Sequence, residues 1–186
     1  MIVSNLAFLT SKRLYLRSLI DEDVEGEYLK WFNDEEVCHG NSHHVYPHTK
    51  SKIQEYIHHS HQTDDEFILA IVLKTNDRHI GNIALQDINR IYRSADLTII
   101  IGDKSAWGKG YGREAAELVL HHGFNTMNLH RISCATFDTN QAMKKLALVL
   151  GMKEEGRRIE AAYKNGKYID FVEFGILKSD YERKTR

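Results

Sequence analysis

The chain has few of the residues that break or cross-link a fold: of its 186 residues, one is proline and two are cysteine. Cys38 and Cys134 lie far apart without a Cys-x-x-Cys pairing, which favours reduced thiols in the cytoplasm over a disulfide scaffold. No apolar run approaches the ~20 residues of a membrane helix. The first seventeen residues also lack the apolar core and small-residue cleavage site of a signal peptide. We therefore expect a cytoplasmic protein.

An excess of either charge is also missing, because 25 Lys and Arg face 26 Asp and Glu, for a net charge of −1. Nucleic acids and anionic membranes attract basic proteins, so neither is expected as the main partner. A hydrophobic content of 42% is ordinary for a soluble globular protein. Since nothing resembling a linker divides the chain, we expect a single domain over residues 1–186.

The hydrophobic periodicity predicts a mixed α/β fold with the order β-α-α-β-β-β-α-β-α-β-β. Strands are expected at 13–19, 66–74, 79–88, 94–102, 131–137, 153–163 and 168–177, and helices at 21–37, 49–61, 112–127 and 139–150. Short turns should pair the strands of 66–102 antiparallel, whereas the helices 112–127 and 139–150 should each connect parallel neighbours. One mixed sheet with helices on both faces is the expected result.

The string WGKGYGREA at 107–115 places three glycines at alternate positions directly before a predicted helix. The first N–H groups of a helix lack intrahelical partners and its dipole attracts anions, so such a turn can bind phosphate. A tight turn packed on the sheet explains the glycines equally well. The P-loop spacing is absent. The dinucleotide pattern G-x-G-x-x-A does match from Gly110, but residues 103–109 separate it from the preceding strand, which belongs to a series of hairpins.

WGKGYG, between a β-branched strand and a helix, resembles the acetyl-CoA loop of the GCN5-related N-acetyltransferase (GNAT) family. That signature is Gln/Arg-x-x-Gly-x-Gly/Ala, with Trp107 here at the Gln/Arg position. Residues 9–37 and 124–177 are similar to the branch that contains ribosomal-protein N-terminal, polyamine and amino-sugar acetyltransferases. The resemblance therefore covers nearly the whole chain.

The resemblance implies acetyl-CoA as co-substrate. The coenzyme diphosphate would lie on the loop, here Trp107, Gly108, Lys109, Gly110, Tyr111, Gly112 and Arg113. Pantetheine would pair with the backbone of the preceding strand, here Ile100, Ile101 and Gly102, and Asn140 matches the asparagine that contacts the coenzyme arm. From the sequence alone, Lys109 and Arg113 are equally well solvated loop cations, and Asn140 is equally well a helix N-cap.

Acetyl transfer to an amine needs a base for the amine and a donor for the oxyanion, and a proton can assist the departing thiolate. Asp96 lies where relatives often carry Glu, so it is the candidate base; an exposed aspartate at the start of a strand is the alternative. The backbone N–H of Ile101 or a neighbour is the implied oxyanion donor. Met143 and Ala147 stand where relatives place the acid, Ser or Tyr, and neither can donate a proton.

Three explanations remain for the missing acid: water protonates the thiolate, Tyr111 or Tyr181 serves, or the site is catalytically weak. The first hypothesis is therefore an N-acetyltransferase that binds acetyl-CoA and an amine together and transfers directly. The amine is a protein N-terminus, a polyamine or an amino sugar, and the protein is a monomer or homodimer. The second is a non-catalytic acyl-CoA-binding or sensing module on the same fold.

The chain contains 11 histidines, several of them crowded between the first two helices. Structural zinc sites favour paired Cys and His motifs, and only fragments with a single cysteine occur, so surface histidines are expected rather than a metal site. In the family the corresponding loop lines the acceptor cleft. His39, His43 or His44 is therefore a candidate for contact with the acceptor, or for the base.

Overall fold

The computed structural model describes residues 7–185. The first residues of the segment predicted to lack a signal peptide, and both ends of the predicted 1–186 domain, therefore lie outside the described residues. Its strands are β1 (Leu9–Thr10), β2 (Leu14–Arg17), β3 (Phe67–Leu73), β4 (His79–Asn89), β5 (Ser94–Ile101), β6 (Arg131–Phe137), β7 (Lys153–Lys164) and β8 (Lys167–Leu177). Its α-helices are α1 (Tyr28–Phe32), α2 (Lys50–Ser60), α3 (Tyr111–Asn125), α4 (Gln141–Leu150) and α5 (Lys178–Thr185).

All eight of these strands form one sheet in the order β1-β2-β3-β4-β5-β6-β8-β7. The mixed α/β fold is confirmed, but only β5 and β6 are parallel neighbours. The prediction that the helix at 139–150 joins parallel neighbours is wrong, because β7 lies outside β8. Asn165 and Gly166 both adopt positive φ, 52° and 79°, as a two-residue hairpin turn requires, and this turn folds β8 back between β6 and β7.

The predicted helix 21–37 is in fact a 3₁₀ helix, Asp21–Glu25, followed by the short α1. Asp23 turns inward and binds Arg17 through both carboxylate oxygens, at 2.7 and 2.8 Å. Its Oδ2 also accepts from the Ile20 N–H. These tertiary bonds fix a tight turn where local propensity favours a helix. The short β1 and the polar α5 are additions to the predicted order.

The two faces of the sheet carry different helices, as predicted. Helices α3 and α4 cover one face, where Ile99 and Ile101 of β5 point. Helices α1 and α2 cover the other face over β2–β4, and Ile100 of β5 points to that side. Within residues 7–185, none of the helices has the length and apolar content that a bilayer crossing requires.

The parallel pair β5–β6 is joined at one end only. Ser94, Ala95 and Asp96 pair with residues 131–133, and the two strands pair no further. The remainder of β6 pairs with β8 instead. A gap therefore opens between β5 and β6 toward the end where the chain leaves β5 for the glycine loop.

Candidate active site

The glycine loop joins β5 to α3 through a short 3₁₀ turn at Lys104–Ala106. Gly108 and Gly110 adopt left-handed φ values of 71° and 79°, which side chains rarely tolerate. Gly112 has no such φ, and a Cβ there would make only ordinary contacts, 3.5 Å or more, with Ile99 and Ile101. Backbone conformation therefore explains two of the three glycines.

The backbone N–H groups of this turn are available to a ligand. Among residues 7–185, the N–H groups of 108–113 donate to no other group, whereas the Trp107 and Glu114 N–H groups bond to Lys104 and Gly110. The dipole of the 15-residue α3 adds partial positive charge at the same place. Lys109 is exposed, and Arg113 pairs with Glu117 at 2.8 Å. The turn is suited to an anion.

Trp107 ties the loop back to the end of β5. Its indole N–H donates to the Ile101 carbonyl at 2.6 Å, while its ring remains 39% exposed. The Gly102 N–H donates to Ile80 of β4, so by strand alternation the peptide groups of Ile100 face β4 and those of Ile101 face the gap. The Ile101 N–H thus points into the gap, whereas its carbonyl is bonded to Trp107.

Gly102 also has a packing role. A Cβ at this position would overlap the indole ring of Trp31, a buried α1 residue. Since its N–H is bonded to Ile80, only its carbonyl remains for a ligand. Gly102 therefore brings α1 onto the end of β5.

Asn140 caps α4 and holds the loop between α1 and α2. Its Oδ1 accepts from the Met143 N–H at 3.1 Å, and its Nδ2 donates to the Gly40 carbonyl at 3.0 Å. Lys164 of β7 donates to the carbonyls of Asn41 and His43 in the same loop. The predicted capping role is present, together with a loop contact that the sequence did not indicate.

Asp96 is the last β5 residue paired with β6, opposite Ser133, so it lies at the closed end of the gap. Its side chain is exposed on the face that α1 and α2 leave bare beyond β4. Although the residue is exposed, neighbouring side chains remove part of the water around its carboxylate; this desolvation raises the pKa of the carboxyl, the negative charge of Asp87 raises it further, and Arg131 opposes both. A carboxylate with a raised pKa is a better proton acceptor.

The two predicted catalytic groups are far apart. Asp96 and Ile101 are separated by five residues of one strand, about 16 Å at the usual rise per residue. Ile99 also directs its N–H into the gap by the same alternation, and it lies about 10 Å from Asp96. The Asp96 carboxylate, acting through one bridging water, therefore reaches a thioester at Ile99 more readily than a thioester at Ile101.

The two residues at the expected acid positions, Met143 and Ala147, and the two candidate tyrosines, Tyr111 and Tyr181, lie in different environments. Ala147 is fully buried in the core under α4, and the partly buried Met143 packs against the same core. The Tyr111 ring lies 4.6 Å below the Arg13 guanidinium, beside the glycine loop. Tyr181 contacts Phe124 near the far end of α3, with ring centroids 5.0 Å apart. That is more than ten residues, about 15 Å or more, from the glycine loop that Tyr111 adjoins.

Of the three predicted histidines, His43 has the most structured surroundings. Its ring lies 4.6 Å from Phe32 and 5.6 Å from His48. Desolvation by the surrounding side chains lowers the pKa of its imidazole and the nearby His48 and Lys164 lower it further, which favours the neutral form near pH 7. His39, His43 and His44 are all exposed to solvent. No group of three or more His, Cys, Asp or Glu within residues 7–185 has metal-site geometry.

Arg13 is a site residue that the sequence analysis missed. It lies in the turn between β1 and β2 and contacts Lys109, Tyr111 and Glu114 of the loop and α3. Because 101 residues separate Arg13 from Glu114, no local pattern could reveal the pair.

The family model "Acetyltransferase (GNAT) domain" matches residues 13–153. Spermidine N(1)-acetyltransferase of Vibrio cholerae is 32% identical over 127 residues, 68% of this chain and 73% of that protein. The Escherichia coli K12 enzyme of the same name is 28% identical over 116 residues, 61% of this chain and 62% of its own.

The V. cholerae enzyme's crystal structure with CoA and spermine superposes with a TM-score of 0.83 at 27% identity, covering 91% of this chain and 98% of that one. The coenzyme in that structure supports acetyl-CoA as the co-substrate here. The chain belongs to the GNAT family of acetyltransferases.

Proposed function

We propose that this N-acetyltransferase moves the acetyl group of acetyl-CoA directly to a primary amine while both substrates are bound. The observation that carries the proposal is the row of unpartnered N–H groups at 108–113, beside the open end of the β5–β6 gap. The loop supplies an anion site and the gap supplies a channel with a strand edge. Together they match the two ends of coenzyme A.

In this arrangement the diphosphate lies on the N–H groups of Gly108–Arg113, and Lys109 adds positive charge from solvent. Pantetheine enters the gap and pairs with the gap-facing peptide groups of β5, those of Ile99 and Ile101. Trp107 keeps the Ile101 carbonyl bonded, which leaves the N–H as the donor at that residue. Asn140 lies on the other side of the gap, at the start of α4.

The transfer proceeds by attack of the neutral amine nitrogen on the thioester carbonyl. The C–N bond forms as the carbonyl becomes an oxyanion, which a gap-facing N–H stabilises. Asp96 takes the amine proton, directly or through water. The C–S bond then breaks, coenzyme A leaves with the electron pair, and solvent supplies its proton. A reference thiol pKa of about 8.5 makes the thiolate a good leaving group without a protein acid.

The position of the thioester decides which base acts. If the oxyanion forms at the Ile99 N–H, Asp96 is close enough to serve. If it forms at Ile101, about 16 Å from Asp96, His43 is the alternative base, since Trp31 packs on Gly102 and the adjacent Phe32 contacts His43. We favour Asp96, because it lies on the same strand. Asp96→Asn and His43→Gln separate the two: only the variant of the true base should lose kcat by about 100-fold or more.

The bare face of the sheet favours a cationic acceptor. Asp96 and Glu173 of β8 lie on this face, and Arg158 pairs with Glu173 at 2.8 Å. Asp96 has no ion-pair partner within residues 7–185, so its carboxylate is available to an ammonium group. The polyamine acceptors named for the V. cholerae and E. coli relatives fit this chemistry. A protein N-terminus and an amino sugar remain the other candidates.

The test measures free thiol released from acetyl-CoA with spermidine, spermine, an N-terminal peptide or an aminoglycoside as acceptor. Cys38 and Cys134 are 0% and 2% exposed, so a thiol reagent should give little background from the folded protein. Turnover with one amine class supports the proposal and identifies the acceptor. Calorimetric binding of CoA without turnover on any amine would instead support the sensing module, which Met143 and Ala147 favour.

Two further properties remain predictions: a cytoplasmic location and a monomeric or homodimeric state. The V. cholerae spermidine enzyme has been described as a dodecamer. Light scattering of the purified protein, with and without CoA, tests the second prediction directly.

A further inference from the structure

Arg13 joins the β1–β2 turn to three parts of the glycine loop region. Its Nη1 donates to the Lys109 carbonyl at 2.9 Å, and its Nε donates to Glu114 Oε2 at 2.6 Å. Its guanidinium carbon lies 4.6 Å above the centre of the Tyr111 ring. One planar side chain thus contacts the loop backbone, a carboxylate and an aromatic face, a combination for which lysine has no equivalent geometry.

Glu114 is held tightly at this position. Its Oε1 accepts from the Ser11 hydroxyl at 2.7 Å and from the Arg13 backbone N–H at 2.9 Å. Burial alone would raise the pKa of Glu114, but the hydrogen bonds from Ser11 and Arg13 lower it below its usual range. The carboxylate is therefore ionised, and its position is fixed by the turn that precedes β2.

The contact with Lys109 sets the direction of the neighbouring peptide N–H. In a trans peptide the C=O and N–H groups point in opposite directions. Because Arg13 binds the Lys109 carbonyl, the N–H of Gly110 points away from Arg13 and out of the loop. Gly110 is also one of the two left-handed glycines, so this bond fixes the most conformationally free part of the turn.

The contact with Glu114 removes an electrostatic conflict. A negative charge in the first turn of α3 interacts well with the helix dipole when no ligand is present. It would repel a diphosphate bound at the same N–H groups. The Arg13 guanidinium, in direct contact with that carboxylate, offsets the repulsion and leaves the N-terminus of α3 favourable for an anion.

We propose that Arg13 is a positioning residue of the coenzyme site: it orients the Gly110 N–H toward the diphosphate and neutralises Glu114 beside it. This role rests on the proposed function. It predicts that Arg13 acts on the nucleotide-diphosphate end of the donor and not on the acyl transfer itself.

The test compares two acyl donors, acetyl-CoA and S-acetylpantetheine, which carries the same thioester without the diphosphate. In Arg13→Ala, we expect the KM for acetyl-CoA and the Kd for CoA to rise about 10- to 100-fold, as for the loss of one or two charge-assisted hydrogen bonds. The kcat with acetyl-CoA, and kcat/KM with S-acetylpantetheine, should stay within about threefold of wild type. Arg13→Lys should recover little affinity, because an ammonium group lacks the planar fork.

Arg90→Ala is the matched control, since it removes another exposed arginine with a carboxylate partner, Asp64, outside the loop and its contacts. It should match wild type with both donors. The double variant R13A/E114Q separates the two effects: removal of the Glu114 charge should restore part of the CoA affinity that R13A loses. If R13A alone folds poorly, the CoA affinity of the double variant still tests the proposal.

Wild-type CoA affinity in R13A would overturn the proposal, as would an equal loss of rate with both donors, which indicates general damage. A wild-type protein that gives no heat with CoA would overturn the proposed function and this inference together. If wild type turns over and R13A behaves like R90A, only the inference fails.

Discussion

Gly110→Ala offers the sharpest test of the glycine loop, because its effects on stability and on coenzyme binding follow from one dihedral angle. Gly110 has φ 79°, and its nearest prospective Cβ contact is Arg13 Nη2 at 3.6 Å. An alanine therefore fits sterically but must either adopt a left-handed conformation, at a cost of about 1–2 kcal/mol, or let the loop relax. For a chain of this size, that cost lowers Tm by about 2–8 °C.

Coenzyme binding should suffer more than stability. If the loop relaxes to a negative φ, the N–H groups of 110 and 111 turn away from the diphosphate. Each charge-assisted hydrogen bond contributes about 1.5–3 kcal/mol, so the loss of one weakens CoA binding by about 10- to 150-fold. Calorimetry measures the affinity, and thermal unfolding without CoA measures the stability.

Gly112→Ala is the control, since Gly112 lies within α3 at an ordinary helical φ. A Cβ there meets Ile99 and Ile101 at 3.5 Å or more, and alanine is about 0.5–1 kcal/mol better than glycine in a helix. Tm should rise by about 1–4 °C. The family signature accepts alanine at this position, so CoA affinity should stay within about threefold. A Gly110→Ala variant with both wild-type Tm and wild-type CoA affinity would refute the reasoning.

Four further substitutions test other parts of the structure. Asp96→Asn should lower kcat by about 100-fold or more and abolish the rise of activity as pH increases through the raised pKa of this carboxyl, measured as a pH–rate profile. Arg17→Met should destabilise the protein by about 3–5 kcal/mol in urea unfolding, because the buried carboxylate of Asp23 loses its guanidinium partner. Burial alone would raise the pKa of Asp23, but Arg17 and His79 lower it, so wild-type stability should fall below about pH 4 as the carboxylate protonates, and Asp23→Asn should remove this contribution. Met143→Ser should raise kcat severalfold, measured by thiol release, if thiolate protonation limits the rate.

The order of the elements was readable from the sequence because it depends on local periodicity. The β-branched run before residue 102, the cap at Asn140 and the Gly151 stop, with φ 92°, are all local signals. The position of β7 was not readable, since a strand–helix–strand segment does not specify whether its second strand lies beside the first or one strand further out. In the structure, the Asn165–Gly166 turn pairs β8 with β7, and β8 lies between β6 and β7, so β7 is the outermost strand.

The candidate site divides in the same way. The glycine loop is one continuous segment, so its chemistry could be predicted from its own residues. The contacts of Asn140 with Gly40 and of Arg13 with Lys109 join segments 100 and 96 residues apart in the sequence, and Trp107 folds back onto Ile101, six residues before it. The local sequence already explains each of these side chains: Trp107 as an aromatic residue of the loop, Asn140 as a helix cap and Arg13 as a cation on a predicted strand. It therefore gives no sign of the tertiary contact.

The missing acid is explained by the packing of α4. Ala147 stands where relatives place a tyrosine, and it is fully buried against the core. A tyrosine at this position would have to displace core side chains, at a cost of several kcal/mol, unless its ring turned into the gap. Position 147 in this chain therefore serves the core, and we expect solvent, rather than a side chain of α4, to protonate the thiolate. The gap between β5 and β6 must then admit water near the sulfur, which also suits a base that acts through water from Asp96.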